Sequence, residues 1–111
     1  DYSRFAACLA NGGELDGVRI IRADTLADCT KDQPGPMGAE RAGIACSWQG
    51  FGLLGGVVAA PGADGSYLPA GSAAGGGTFG WGGAAGTWFF VDPENKISAV
   101  MTTQLLNNQA G

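Results

Sequence analysis

The chain has 111 residues, of which 45% are hydrophobic, with 21 glycines and a formal net charge of −4. This length predicts one domain, and the hydrophobic content argues against disorder. The acidic balance, without any basic run, argues against nucleic acid or a membrane surface as a partner, and no apolar stretch approaches the roughly 18 residues of a membrane span.

The first predicted element is an amphipathic helix at the start of the chain. Its apolar residues recur with the i, i+3, i+4, i+7 spacing of one helix face. Asn11-Gly12-Gly13 then supplies residues that end a helix in the left-handed conformation. The apolar residues of the predicted face are Tyr2, Phe5, Ala6 and Leu9.

A tight turn and a second helix follow. Asp16-Gly17 lies between two short apolar segments, which is typical of a two-residue turn joining extended strands. A second helix is predicted over about residues 23–31, with Leu26 and Ala27 facing inward. Pro34-Gly35-Pro36 marks the end of this half of the chain.

The second half of the chain is predicted to form strands. Phe51–Ala60 is an apolar run that predicts one strand, and Pro61–Gly77 is a long loop rich in small residues. Thr78–Asp92 is predicted to be extended, with a bend near Gly86. Alternating residues over 97–104 predict a further strand.

This order predicts the α+β class, with an antiparallel sheet flanked by helices. The helices are expected within about residues 2–31, and three or four strands within about residues 50–104. Trp88–Val91 is apolar at four successive positions, so this strand needs cover on both faces. Two short helices are too small to cover both faces of a sheet, so the chain is predicted to be part of a larger domain.

Several other patterns have simple explanations. Asp92 and Glu94 are interpreted as solvated residues of a turn rather than a catalytic pair, and Met101 as a packing residue. Two stretches, Gly50–Gly55 and Gly75–Gly80, match the G-x-G-x-x-G pattern of dinucleotide sites. Both lead into β-type sequence instead of a helix, so nucleotide binding is not predicted.

The chain contains no histidine, which excludes Ser-His-Asp and Cys-His catalysis from these residues and also a Cys/His zinc site. No metal and no cofactor are expected. Cys8, Cys29 and Cys46 are odd in number and widely spaced, which favours reduced, partly buried thiols. The thiols and the lack of a visible signal peptide predict a cytoplasmic protein, with the periplasm as the alternative.

The stretch GWGGAAGTWFF, Gly80–Phe90, places the smallest side chains beside the largest. In a regular strand one face would carry only glycine and alanine, and such a face buries little apolar surface. It is explained if another backbone, a helix or a ligand approaches closely. Tight helix packing and a ligand site both remain open at this point.

Together the segments DYSRF, LANGGELDGVRII, GFGLLGGVV, GWGGAAGTWFFVDPENK and MTTQLL resemble the C-terminal third of the serine β-lactamase-like hydrolases. The resemblance is closest to the family VIII carboxylesterases and their class C β-lactamase and DD-peptidase relatives. It covers nearly all 111 residues. Its most specific part is Trp81-Gly82-Gly83, which resembles the WGG box that replaces Lys-Thr-Gly in those esterases.

The resemblance implies that residues 1–111 are the C-terminal part of a single domain of the β-lactamase/transpeptidase-like fold. It implies that the strand carrying Trp81, Gly82 and Gly83 borders the active-site cleft and binds substrate, a small-molecule ester or amide. Trp81 would form an apolar wall that favours ester acyl groups. The backbone N–H of Ala84 would be one of two oxyanion-hole donors in an acyl-enzyme mechanism.

The nucleophile of that family is the serine of a Ser-x-x-Lys box, assisted by a Tyr-x-Asn-like box, and neither occurs in this sequence. Both are therefore expected in the remainder of the hydrolase domain, and the 111-residue chain alone is predicted to be inactive. Three alternatives stay open. They are a β-lactamase or D-amino-acid peptidase, a non-catalytic binding or scaffolding module of the same fold, and an unrelated glycine-rich β domain that self-associates.

Overall fold

The computed structural model describes residues 1–33, 50–57 and 77–106. In these ranges the chain is α+β, with two helices, a two-stranded antiparallel sheet and a five-stranded antiparallel sheet. The predicted α+β class with antiparallel strands is confirmed at this level. The helices of these ranges are all too short or too polar to span a membrane.

Helix α1 (Tyr2–Ala10) forms where the apolar spacing predicted it. After the C-cap residue Asn11, Gly12 and Gly13 adopt φ angles of 75° and 95°, which glycine tolerates without steric strain. A Cβ on Gly13 would collide with the carbonyl oxygen of Ile21. The glycine is therefore required both by the backbone angle and by the approach of the next segment.

Strands β1 (Glu14–Leu15) and β2 (Val18–Arg19) form the predicted hairpin. Both turn residues are left-handed, with φ of 52° at Asp16 and 78° at Gly17. Two left-handed central residues define the type I′ turn that matches the twist of paired strands. This local sequence signal was sufficient to predict the structure.

Helix α2 (Ala23–Cys29) ends slightly before the predicted boundary. Leu26 is buried and belongs to the hydrophobic core, as predicted. Ala27 is exposed, so its assignment to the inner face was wrong. One residue along a helix rotates the side chain by about 100°, and this short helix buries only a narrow stripe.

The apolar run Phe51–Ala60 does not form the single predicted strand. Strands β3 (Gly50–Gly52) and β4 (Gly55–Val57) are instead the two arms of a hairpin. Leu53-Leu54 between them gives no turn signal, because turns usually carry Gly, Pro, Asn or Asp. Residues 58–60 lie outside the described ranges.

Three longer strands complete the large sheet: β5 (Phe79–Gly82), β6 (Trp88–Asp92) and β7 (Ile97–Met101). The strand order is β3-β4-β5-β6-β7, and every neighbouring pair is antiparallel. The described part of the sheet thus has five strands, more than the three or four predicted, because the first apolar run folds back on itself.

The two faces of this sheet differ. Helix α1 packs against β6 and β7, and on that face Val91 is fully buried while Phe89 packs against the core. On the opposite face Trp88 and Phe90 pack ring to ring and are half-buried. Met101, predicted to be a packing residue, lies on that same face and is 52% exposed, so it is not part of the buried core.

The predicted turn after β6 is confirmed, but its chemistry differs from the prediction. Asp92 is only 4% exposed, and its carboxylate accepts the backbone N–H of Asn95 at 3.0 Å and the side-chain N–H at 2.8 Å. Glu94 is exposed, and Lys96 takes the left-handed position with φ of 55°. Asp92 is therefore a buried acceptor, and only Glu94 is solvated.

The remaining sequence predictions are tested only in part. Cys8 is a buried free thiol and Cys29 is a half-buried one, as predicted. Three other features lie outside the described ranges: Pro34-Gly35-Pro36, Cys46 and the loop over residues 61–76.

Candidate functional site

The four residues assigned to the site lie together at one end of the β5–β6 hairpin. Trp81 and Gly82 are the last residues of β5 and pair with β6. Gly83 begins the connection, and Ala84 follows as an exposed residue. The prediction of an extended segment through Ala84 was wrong, because regular strand pairing stops at Gly82 and the chain turns.

Two backbone hydrogen bonds close the connection. The N–H of Gly83 donates to the carbonyl of Thr87 at 2.8 Å, and the N–H of Gly86 donates to the carbonyl of Gly83 at 3.0 Å. The second bond spans i to i+3 and defines a β-turn with Ala84 and Ala85 at its centre. Neither central residue has a positive φ, whereas Gly86 has φ of 73°. The predicted bend is thus a type I turn followed by a left-handed glycine.

The N–H of Ala84 is open among the residues that the structure describes, because none of their groups accepts a hydrogen bond from it. A type I turn explains this, since its hydrogen bond uses the N–H of the fourth residue and leaves that of the second residue free. Because Ala84 is also an exposed residue, its amide can donate to an external acceptor.

Gly82 has a second amide directed away from β6. Hydrogen-bonded and non-hydrogen-bonded pairs alternate along an antiparallel ladder. Because Gly83 bonds to Thr87, the adjacent pair of Gly82 and Trp88 is a non-hydrogen-bonded one, and the polar groups of Gly82 point to the other edge. Strand β4 pairs only with the first two residues of β5, so among the described strands this edge is unpaired at Gly82.

Close contacts across the β5–β6 hairpin account for two of the glycines. A Cβ on Gly80 would collide with the carbonyl oxygen of Phe89 and lie 2.9 Å from the Cα of Phe90. A Cβ on Gly83 would collide with the Oγ1 of Thr87. The small residues at these two positions are therefore explained by the facing residues of the hairpin, and tight helix packing is not needed.

Trp81 is a half-buried residue beside an apolar cavity. Its ring packs edge-on against Phe51, with 5.1 Å between ring centroids. A cavity of about 370 Å³ is lined in part by Trp81, Gly82 and Gly83, but not by Ala84. Cavities of this size with mainly apolar walls suit the apolar part of a small ligand.

A contact from the end of the chain was missed by the sequence prediction. Beyond β7, the hydroxyl of Thr103 donates to the carbonyl of Ala85 at 2.5 Å, and the N–H of Leu105 donates to the same oxygen at 3.2 Å. In sequence Thr103 looks like one more residue of an alternating strand. No local pattern signals a hydrogen bond to a turn 18 residues earlier.

The chemistry that this site offers comes from the backbone. The connection over residues 83–87 contains only glycine, alanine and threonine, so no ionisable side chain lies in it. Within the described ranges, no three His, Cys, Asp or Glu side chains come together to hold a metal ion. Open backbone amides can bind an oxygen that carries negative charge, but they supply neither a nucleophile nor a base.

The chain is similar to Protein Rv1367c and to Uncharacterized protein MT1414, from two strains of Mycobacterium tuberculosis. Each is 35% identical to it over 107 residues, which cover 87% of this chain and 24% of the relative. The chain thus spans about a quarter of the length of the curated relatives that it matches. No protein-family model matches the chain.

Proposed function

We propose that the chain is the C-terminal portion of a serine hydrolase of the β-lactamase-like fold, of the carboxylesterase type, and that it forms one wall of the active site. The observation that carries this proposal is the open N–H of Ala84 directly after Trp81-Gly82-Gly83. The nucleophile and its base lie outside these 111 residues. The relatives are about four times as long as their matching region, which leaves room for both.

In this proposal Ala84 stabilises the transition state of acyl transfer. Attack on an ester carbonyl moves negative charge onto its oxygen, and a fixed N–H aimed at that oxygen lowers the barrier. Gly82 and Gly83 have no side chain to keep the acyl group away from the main chain. Trp81 and the adjoining cavity provide an apolar wall for the acyl group. Because Trp81 carries no charge, it favours an ester over a substrate that bears a carboxylate.

The direct test removes the donor without changing the turn. Proline has no N–H and is favoured at the second position of a type I turn, which is the position of Ala84. In the full-length protein, Ala84→Pro is expected to lower kcat for a short-chain nitrophenyl ester about 10²- to 10³-fold. Ala23→Pro is a matched control, because it places proline at the first position of α2, where helices accept it.

If Ala84→Pro leaves kcat within a few-fold of the unchanged protein, Ala84 is not the donor and the proposal fails. Substrate class is decided by comparing the ester with a cephalosporin and a D-Ala-D-Ala peptide. Preference for either of the latter would make the protein a β-lactamase or a peptidase. A full-length protein without a Ser-x-x-Lys box and without turnover would be a non-catalytic binding module.

A further inference from the structure

The β5–β6 turn is held from outside by the segment that follows β7. The carbonyl of Ala85 accepts two hydrogen bonds from this segment, from the hydroxyl of Thr103 at 2.5 Å and from the N–H of Leu105 at 3.2 Å. Ala85 and Thr103 are half-buried, whereas Ala84 is exposed. The segment therefore fixes one side of the turn and leaves the other side open.

The hydrogen bond from Thr103 orients the Ala84 amide indirectly, through two planar peptide units. A trans peptide unit is planar, and its C=O and N–H point in opposite directions. The unit between Ala85 and Gly86 is held at its carbonyl by Thr103, and its N–H donates to the carbonyl of Gly83 at 3.0 Å. The carbonyl of Gly83 and the N–H of Ala84 belong to one planar peptide unit, so holding that carbonyl also orients the N–H of Ala84.

We infer that Thr103 is a positioning residue for the oxyanion donor proposed above, and this inference rests on that proposed function. Thr103 fixes the first peptide plane, the Gly86–Gly83 hydrogen bond fixes the second, and the N–H of Ala84 then has one direction. A β-branched threonine suits this task, because its χ1 angle is restricted and its hydroxyl is held on the carbonyl. Without the hydroxyl, the carbonyl of the first plane would keep only the hydrogen bond from the N–H of Leu105.

The test is a double-mutant cycle in the full-length protein with the nitrophenyl ester as substrate. Thr103→Val keeps the shape of the side chain and removes the donor, so kcat is expected to fall about tenfold, as for one lost hydrogen bond, while KM stays within about twofold. Thr103→Ser retains the hydroxyl and is expected to recover most of kcat. In the Ala84→Pro background, Thr103→Val is expected to have no further effect on kcat.

Three results would overturn the inference. They are an equal loss in the valine and serine variants, an unchanged kcat in Thr103→Val, and a fold-loss of kcat in the double variant equal to the product of the two single fold-losses. The last result would mean that Thr103 acts on stability or on another part of the site. Melting temperatures of all variants identify any that fail to fold, and if Thr103→Val is among them, Thr103→Ala removes the same hydroxyl and takes its place.

Amide hydrogen exchange separates this inference from the proposed function. In Thr103→Val the amides of Gly86 and Leu105 are expected to exchange faster, while those of α1 stay unchanged. Unchanged exchange at both positions would overturn the positioning role whatever the activity. If no ester is hydrolysed at all but exchange accelerates as expected, the proposed function fails and Thr103 is a structural support of the turn.

Discussion

Strand β6 lies between two turns whose backbone amides are used differently. At the Asp92 end, a buried carboxylate accepts both the backbone and the side-chain N–H of Asn95. At the other end, Ala84 and Ala85 form the centre of the turn, and no group of the described residues accepts the N–H of Ala84. Asp and Asn side chains compete for turn amides, whereas alanine has no acceptor. The residue types of a turn thus decide whether its donor is used internally or is available to a ligand.

The two turns also differ in what stabilises them. The Asp92 turn is stabilised by its own side chains. The Ala84 turn has only glycine and alanine at positions 83–86, and part of its support comes from Thr103, far along the chain. A turn that keeps a donor free gives up local hydrogen bonds, so it benefits from distant ones.

The strongest test of this comparison is Asp92→Ala. The substitution removes a buried acceptor and leaves the amide of Asn95 without that partner, which typically costs about 1–3 kcal/mol in the free energy of unfolding. Urea denaturation of the protein measures the change. Glu94→Ala is the matched control in the same turn, because Glu94 is exposed, and a loss within about 0.5 kcal/mol is expected. Equal losses in the two variants would show that burial of the Asp92 carboxylate is not what stabilises the turn.

A smaller effect on stability is expected at the turn that contains Ala84. In Gly83→Ala the new Cβ meets the Oγ1 of Thr87, a side-chain atom rather than backbone, so a loss of about 1 kcal/mol in the free energy of unfolding is expected. Thr87→Ala removes that atom, and the double variant should be more stable than the sum of the single changes predicts. If the two changes are additive, the Thr87 side chain is not the reason for glycine at position 83.

The sequence predicted the elements whose signals are local. The helix at the start and the turn at Asp16-Gly17 follow from residue spacing and from left-handed residues, and both formed as expected. The predictions failed where the local structure depends on packing or on residues that give no local signal. The two central residues of the turn within Phe51–Ala60, Leu53 and Leu54, are not typical turn residues, and the burial of Asp92 depends on the packing around it.

The candidate site shows the same difference between features with a local sequence signal and features set by distant contacts. Trp81-Gly82-Gly83 was found by its resemblance to a known box, and pairing with β6 then brought these residues to the end of a hairpin. The resemblance implied that the N–H of Ala84 is a donor, but the type I turn that holds it could not be predicted, because strand alternation placed Ala84 in an extended segment. The contact from Thr103 depends on where the chain runs after β7, which no spacing rule encodes.

Asp24 extends the comparison to a carboxylate in solvent, where the smallest effect is expected. Its Oδ1 accepts the side-chain N–H of Arg22 at 3.0 Å and the backbone N–H of Thr25 at 2.8 Å. These bonds, first to Arg22 and then to Thr25, hold the pKa of Asp24 below its ordinary value. Because the folded-state pKa is lowered, the contribution to stability is present above the unfolded pKa and is lost as the pH falls through the folded pKa.

Asp24→Asn should therefore lower the free energy of unfolding slightly at neutral pH, and the difference from the unchanged protein should vanish in strong acid. Titration of the Asp24 carboxyl by NMR measures the pKa directly, and denaturation at both pH values measures the stability. A pKa at or above the ordinary value of about 3.9 would contradict the assignment. Because water competes for the same hydrogen bonds at this exposed site, the loss should be smaller than in Asp92→Ala. A loss as large as that one would mean that burial is not what separates the two carboxylates.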